Sequence, residues 1–312
     1  MQHAVSIITP LYNKGRYVTE TVESVLAQTM NAWEMIVVEN GSTDNGPEIV
    51  RRFSDQRIRL MISPKQGPGA ARNVGLVQAT GEWILFLDAD DLLAPDFVDE
   101  RLALLKDHPR SDLLVGCWEE FLDGQPLHSF RHPTAAGRPT GILEQSAVAF
   151  APWALHAALI RRSSITPDLY WPEELDGHPS EDTAFWFPII FGADIAWSQR
   201  GGAVYRVQTA TSRNEIKDVE KWICGVMAVI DHNVAFLQRQ GRDPSPEQCA
   251  NIVRVLESSY RMALQRHRHP AANLALEQAR NWLAKCPPVS AAIAVRKVLG
   301  LRLFNLLRFG AV

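Results

Sequence analysis

The stretch Trp83 to Asp91, WILFLDADD, sets five apolar residues against three aspartates in the four positions that follow. Desolvation and mutual repulsion both oppose carboxylates beside a buried strand. The balance reverses if a divalent cation is held among them, and that cation in turn holds a diphosphate. Magnesium takes one or two protein carboxylates and completes its shell with phosphate oxygens and water. On an extended segment Asp88 and Asp90 share one side, while Asp91 points elsewhere. Taken alone, these residues leave a second reading open, a simple turn before a helix.

Three other segments carry the same signature of an apolar run ending in polar or glycine-rich residues. They are Thr9-Pro10-Leu11-Tyr12-Asn13, Glu39-Asn40-Gly41-Ser42-Thr43-Asp44, and Lys65 to Gly75, which reads KQGPGAARNVG. In the last, glycines at 67, 69 and 75 leave Arg72 where a dinucleotide fingerprint requires glycine, so a dinucleotide site is not expected. What remains is a tight turn into a helix, with Arg72 as a fork-shaped donor to phosphate. A later segment, Ser180-Glu181-Asp182-Thr183, places two acids in the first turn of an expected helix. Ser180 reads as its N-cap, and the helix dipole favours acids there whether or not they act chemically.

These segments need a scaffold that brings strand ends together. β-rich runs alternate with helical patterns along the first third: strands over 4–9, 34–39, 58–63 and 83–88, and helices over 16–28, 44–53, 70–79 and 95–106. A further strand is predicted over 112–118, others near 157–160 and 202–207, and a helix over 181–191. After Glu215 the pattern is helical as far as Pro287-Pro288. The fold class is α/β, a Rossmann-like, mostly parallel sheet flanked by helices, with a helical C-terminal region. In such sheets ligands bind outside the carboxyl ends of the strands, where the four motifs fall.

Composition narrows the function. With 312 residues, 46% of them hydrophobic, the chain can bury a large core. A net charge of −3, with no basic patch interleaved with aromatics, argues against nucleic acid as partner. Cys117, Cys224, Cys249 and Cys286 lack metal-ligand spacing and read as reduced thiols in a cytoplasmic protein. Neither a signal peptide nor a membrane-spanning run is expected.

VSIITPLYN, VVENGSTDN, GPGAARNVG and FLDADD, in this order and spacing, resemble an inverting glycosyltransferase of family 2 with the GT-A fold. The likeness is close over the first 110 or so residues and looser to about Arg213. It implies a catalytic domain over 1–213, with nucleotide-sugar binding in 1–110 and the acceptor side and base in 111–213. The helical region 214–312 then offers a membrane or dimer contact.

By this resemblance Thr9, Pro10 and Tyr12 line the nucleotide-base pocket, and Glu39 and Asn40 stand at its edge. Gly69 and Arg72 belong to the donor site, with Asp88 near the ribose. Mg²⁺ or Mn²⁺ sits on Asp90, with Asp88 and Asp91 as further candidate ligands. Asp182 is the expected base, with Glu181 on the acceptor side; Trp153 and His156 fall in the same region, where a face toward the acceptor and a place in the core are both open readings.

The expected donor is a nucleotide sugar, most simply a UDP-sugar, and the expected acceptor a glycan or lipid-linked hydroxyl in surface-polysaccharide assembly. Two departures from the family pattern stand out: Glu39-Asn40 in place of paired aspartates, and Gln208 where relatives carry histidine after Tyr205-Arg206. Two other functions fit parts of the pattern. A sugar-nucleotide nucleotidyltransferase would place its glycine-rich loop straight after the first strand, but TPLYNKGRY is not glycine-rich. A catalytically silent module would bind nucleotide sugar without turnover. Residues 289–312 join basic side chains to an approximate apolar face of Ile293, Leu299, Leu303, Leu306 and Leu307, the pattern of peripheral membrane contact or of a homodimer.

Overall fold

The computed structural model describes residues 4–124, 132–134, 146–178, 180–207, 218–287 and 290–309. The elements in chain order are β1 (Val5–Leu11), α1 (Val18–Leu26), β2 (Trp33–Glu39), α2 (Gly46–Arg51), β3 (Ile58–Ile62), α3 (Pro68–Gln78), β4 (Trp83–Phe86), β5 (Leu92–Leu93), α4 (Phe97–Ala103), β6 (Leu113–Leu122), β7 (His132–Thr134), β8 (Ala158–Arg161), α5 (Glu181–Ile190), β9 (Ile195–Val207), α6 (Val219–Arg239), α7 (Pro246–Gln265), α8 (His269–Lys285), α9 (Ala291–Leu299) and α10 (Leu301–Phe309). Gln208 lies outside the described residues.

Compactness divides the chain into two units. The first comprises 1–140, 153–177 and 192–212; the second comprises 141–152, 178–191 and 213–312. Among the described residues, 146–152, 178 and 180–191 therefore cluster with the helices.

The first unit is one sheet in the order β3-β2-β1-β4-β8-β6-β9-β5, with β7 paired to β6. Strands β3, β2, β1 and β4 run parallel, while β8 is antiparallel to both β4 and β6. Trp33, Ile36, Val38, Ile8 and Leu85 are fully buried, as expected of parallel strands covered on both faces. The chain leaves β1 for β2 on one side and returns to β4 on the other, so the crevice between the ends of β1 and β4 is the switch point. β1 pairs with β4 only as far as Ile8↔Phe86 but with β2 as far as Leu11↔Glu39. Residues 9–11 thus run on past the end of β4, beside the turn that carries the aspartates.

In the second unit, α6 begins under the side chain of Asp218, which accepts a hydrogen bond from Lys221 N–H, and α7 begins with a Ser245–Gln248 capping box. Val219, Ile223, Ala263, Ala271, Ala272 and Ala275 form one apolar cluster of this unit. Phe236 of α6 meets Phe187 and Phe191, and Asn233 Nδ2 donates to the Val148 carbonyl.

Most predicted elements recur with ends shifted by one or two residues. Ser180 differs in kind. It has a left-handed backbone (φ 62°) and makes no side-chain cap, so α5 starts without the predicted N-cap hydrogen bond. The two-residue β5 carries no readable pattern in the sequence.

At the opposite end of the parallel strands, Glu34 is buried among Ser6 Oγ (2.7 Å), Thr80 N (2.7 Å) and Thr80 Oγ1 (2.6 Å), and its other oxygen accepts from Arg59 (2.6 Å). Burial alone raises its pKa, but the hydrogen bonds prevail and hold it at about 2 against an ordinary 4.5. A lowered value means the fold favours the carboxylate. The stabilisation, about 3 kcal/mol, is full above the ordinary pKa and lost as pH falls toward 2. Glu34→Gln is therefore expected to lower urea-unfolding stability at pH 7 by about 2–3 kcal/mol and to flatten its acid dependence. An unchanged acid limb would contradict this role.

Candidate active site

The four polar segments meet through hydrogen bonds between the loops that carry them. Asn13, at the tip of β1, holds a left-handed backbone (φ 50°), and its Oδ1 accepts from Thr43 N–H at 2.8 Å. Gly15 N–H donates to Asp44 at 2.7 Å and Asn13 N–H to Ser42 Oγ at 3.2 Å, so several bonds tie the loops after β1 and β2. Asn40 joins the second loop to the third, its Nδ2 donating to the Lys65 carbonyl (2.9 Å) and its Oδ1 accepting from Gly67 N–H (2.8 Å). Glu39 Oε1 accepts from Ser42 N–H at 2.5 Å and closes the turn after β2. Both polar ends of Asn40, expected at the edge of a base pocket, are thus engaged in holding loops together. Thr9 is fully buried in the ladder, whereas Tyr12 is 55% exposed and stands free at the β1 tip.

The aspartates after β4 take three different partners. Asp90 accepts from Lys14 Nζ at 2.5 Å, across the switch point. Asp88 pairs with Arg72 of α3 at 2.7 Å, and the nearly buried guanidinium lies 4.2 Å from the centre of the Trp171 ring. Burial raises the pKa of Asp90, the Asp88 charge adds to this, and Lys14 opposes it.

Asp91 turns inward. It is fully buried, accepts from Arg206 N–H at 2.8 Å, and lies 3.3 Å from His156 Nδ1. Burial first, then the charges of Asp90 and Asp88, raises its pKa well above the ordinary value, while burial lowers that of His156 to about 4. Burial thus disfavours the charged form of both groups. Asp91 is thus engaged with Arg206 and His156 inside the fold. His156 and Trp153, expected on the acceptor side, are both buried: His156 lies beside Asp91, and Trp153 packs on Trp197. Neither offers a face to an acceptor, because their apolar surface is used to close the core.

Two residues that the sequence did not single out hold this arrangement. Arg206, near the end of β9, donates from Nε to the Asp90 carbonyl (2.8 Å) and from its fork to Glu20 (2.6 Å) and Asp123 (3.4 Å). It fixes the backbone of the aspartate turn; the Tyr205-Arg206 dipeptide closing a predicted strand was the available signal. Asp176 accepts from Gly69 N–H (2.6 Å) and Ala70 N–H (3.0 Å), the first amides of α3. The Gly69 amide, assigned by sequence to the donor site, is thereby used within the fold. Gly67 has φ 132°, and a Cβ there would run into the Asp176 side chain, which explains the glycine. Asn73 holds the same strap, exchanging hydrogen bonds with Trp171 N–H (2.9 Å) and the Trp171 carbonyl (3.0 Å). The glycine-rich motif is a seat for the strap that carries Trp171 beneath Arg72.

In the second unit, Glu181 is buried, while Asp182 is partly exposed at the start of α5 and accepts from Thr183 N–H at 2.9 Å. No group of three or more acidic, histidine or cysteine side chains suited to a metal occurs among the described residues. Two aspartates, each already holding a cationic nitrogen, of Lys14 on Asp90 and of Arg72 on Asp88, still match the donor set of an ion that completes its shell with phosphate and water.

The family model described as "Glycosyl transferase family 2" matches residues 6–161. A Haemophilus influenzae protein named an uncharacterized glycosyltransferase is 41% identical over 108 residues, which are 33% of this chain and 43% of that protein. Staphylococcus aureus TarS, named a poly(ribitol-phosphate) beta-N-acetylglucosaminyltransferase, is 30% identical over 195 residues, 61% of this chain and 33% of its own. The matched stretch thus spans less than half of either relative. Among solved structures, TarS 1-349 in complex with UDP-GlcNAc has a TM-score of 0.60 at 19% identity, covering 89% of this chain and 91% of that one. Mannosyltransferase PcManGT from Pyrobaculum calidifontis, in complex with GDP-Man and Mn2+, has a TM-score of 0.57 at 21% identity, covering 99% and 84%.

Asp176→Ala removes the acceptor for two helix-terminal amides and the anchor of the strap. It is expected to cost about 1–2 kcal/mol in urea denaturation. A loss below a few tenths of a kcal/mol would show that solvent replaces Asp176 without penalty.

Proposed function

The chain belongs to glycosyl transferase family 2 and has the GT-A fold, and on that premise we propose that it transfers a sugar, with inversion, from a nucleoside diphosphate donor to a hydroxyl of a cell-surface polymer or its lipid-linked precursor. The observation that carries the reading is the joining of four strand-end motifs around Asp88 and Asp90, with a cationic nitrogen already on Asp90. TarS, a relative whose name gives a polyol-phosphate polymer as acceptor and whose structure holds UDP-GlcNAc, supports a UDP-sugar and a surface-polymer acceptor.

In this reaction the acceptor oxygen forms a bond to the anomeric carbon as the bond from that carbon to the diphosphate oxygen breaks. Asp182 takes the hydroxyl proton as general base, and its partial exposure suits that work better than the buried Glu181 does. Asp90 and Asp88 would hold Mg²⁺ or Mn²⁺, whose chemistry there is to neutralise the charge appearing on the departing nucleoside diphosphate. Arg72 keeps Asp88 in place, Arg206 holds the Asp90 backbone, and Tyr12 offers the exposed ring at the β1 tip to the base.

The C-terminal helices support docking on an anionic bilayer, where a lipid-linked acceptor resides. Gly300 (φ 72°) separates α9 from α10. Arg296 is buried on Glu257 at 2.9 Å, and Ile293 is buried as well. The exposed apolar side chains are Val295, Val298 (84%), Leu303, Leu306, Leu307 (68%) and Phe309, interspersed with exposed Lys297, Arg302 and Arg308. No helix among the described residues is long and apolar enough to cross a membrane.

Against a panel of UDP-, GDP- and dTDP-sugars with Mn²⁺, the protein is expected to show a thermal shift and slow hydrolysis with one donor. Asp182→Asn should keep the shift and lose about a hundredfold or more in turnover. Near-normal turnover would remove Asp182 as base, and binding without turnover by the unaltered protein would favour a silent binding module. Full-length protein is expected to float with phosphatidylglycerol liposomes, and Val298→Ser/Leu306→Ser/Leu307→Ser to stay in the pellet fraction. Equal recovery, or loss of self-association instead, would reject the bilayer.

A further inference from the structure

Lys14 follows the Pro-Leu-Tyr-Asn tip of β1 and reaches across the switch point to the turn after β4. Its Nζ is 2.5 Å from Asp90 Oδ2 and 5.7 Å from the centre of the Tyr17 ring, and both members of the pair keep some access to solvent, 17% and 14%. A cation of the magnesium class binds carboxylate oxygen at about 2.0–2.1 Å. The ammonium nitrogen therefore takes up, on Asp90 Oδ2, the position that such an ion would need. Two cations cannot share that position on one oxygen, and at such a distance their repulsion is severe.

We propose that Lys14 is the resident counter-cation of Asp90, that the divalent cation must displace it, and that the donor diphosphate makes the exchange favourable. The inference rests on the reading of Asp90 as a metal ligand. In the donor-free site the Lys14–Asp90 pair is already neutral, so a divalent cation arriving alone adds uncompensated charge beside a displaced ammonium. A nucleoside diphosphate sugar brings phosphate charges that balance both. Lys14 is suited to the exchange: it is a point charge on a flexible stem, on a loop whose neighbour Asn13 is tied down.

The cation on the other aspartate is not. Arg72 is nearly buried, lies over Trp171 and is reached by the strap that Asn73 and Asp176 secure. Asp88 therefore keeps its partner, and Asp90 is where exchange occurs. The consequence is coupled binding, in which metal and donor each strengthen the other by the same factor.

The test measures Mn²⁺ affinity of the full chain from the free-ion electron paramagnetic resonance signal, with and without UDP or GDP. The unaltered protein is expected to bind Mn²⁺ at least tenfold more weakly without nucleotide than with it. Lys14→Met, with Lys14→Gln as a second variant and circular dichroism as the check on folding, should tighten nucleotide-free Mn²⁺ binding about tenfold or more and shrink the nucleotide dependence. Asp90→Asn should bind Mn²⁺ in neither condition. Unchanged or weaker nucleotide-free binding in folded Lys14 variants, with binding still lost in Asp90→Asn, overturns the counter-cation role and leaves Asp90 as ligand. Normal Mn²⁺ affinity in Asp90→Asn, or no Mn²⁺ binding by the unaltered protein even with nucleotide, overturns the metal reading and this inference with it.

Discussion

The structure turns on charge balance where β4 stops. Carboxylates at the end of a fully buried strand are unfavourable unless each is compensated, and each of the three is compensated differently. Asp90 meets an ammonium, Asp88 a buried guanidinium, and Asp91 is driven toward its protonated form beside a neutral histidine. Only the first partner retains appreciable solvent access. The sheet order makes this possible: β1 and β4 are adjacent, yet the chain leaves them in opposite directions, so residues from four loops converge on one edge.

Around that edge the polar side chains expected to meet a ligand are largely used to hold the loops. Asn40 bridges two of them, Asp176 occupies the amides at the start of α3, and Arg206 pins the Asp90 carbonyl. Such bonds fix a site before any ligand arrives, which lowers the ordering cost of binding. They also explain two features of the glycine-rich motif. Gly67 makes room for Asp176, and Gly75 lets α3 lie directly on Ile8 of β1.

Much of this was legible from local pattern. The apolar runs of β1, β2 and β4 are unambiguous because those strands are buried on both faces. What escaped depends on partners far away in sequence. Nothing near Asp176 announces that it caps a helix about a hundred residues earlier. Trp153 and His156 left an acceptor face and a place in the core both open, because type does not distinguish a ring facing a ligand from one that closes a core. Ser180 has the composition of an N-cap, and only its left-handed backbone reveals that its side chain does not act as one. In the C-terminal helices the burial of Arg296 depends on an acid, Glu257, that lies on another helix.

The most direct test is anomalous diffraction at the manganese edge from crystals grown with Mn²⁺ and the nucleoside diphosphate that binds. The account predicts one peak within about 2.2 Å of an Asp90 oxygen, with Lys14 Nζ moved off that carboxylate and Arg72 still on Asp88. A manganese peak remote from Asp90, with Lys14 still seated on it, would contradict the account.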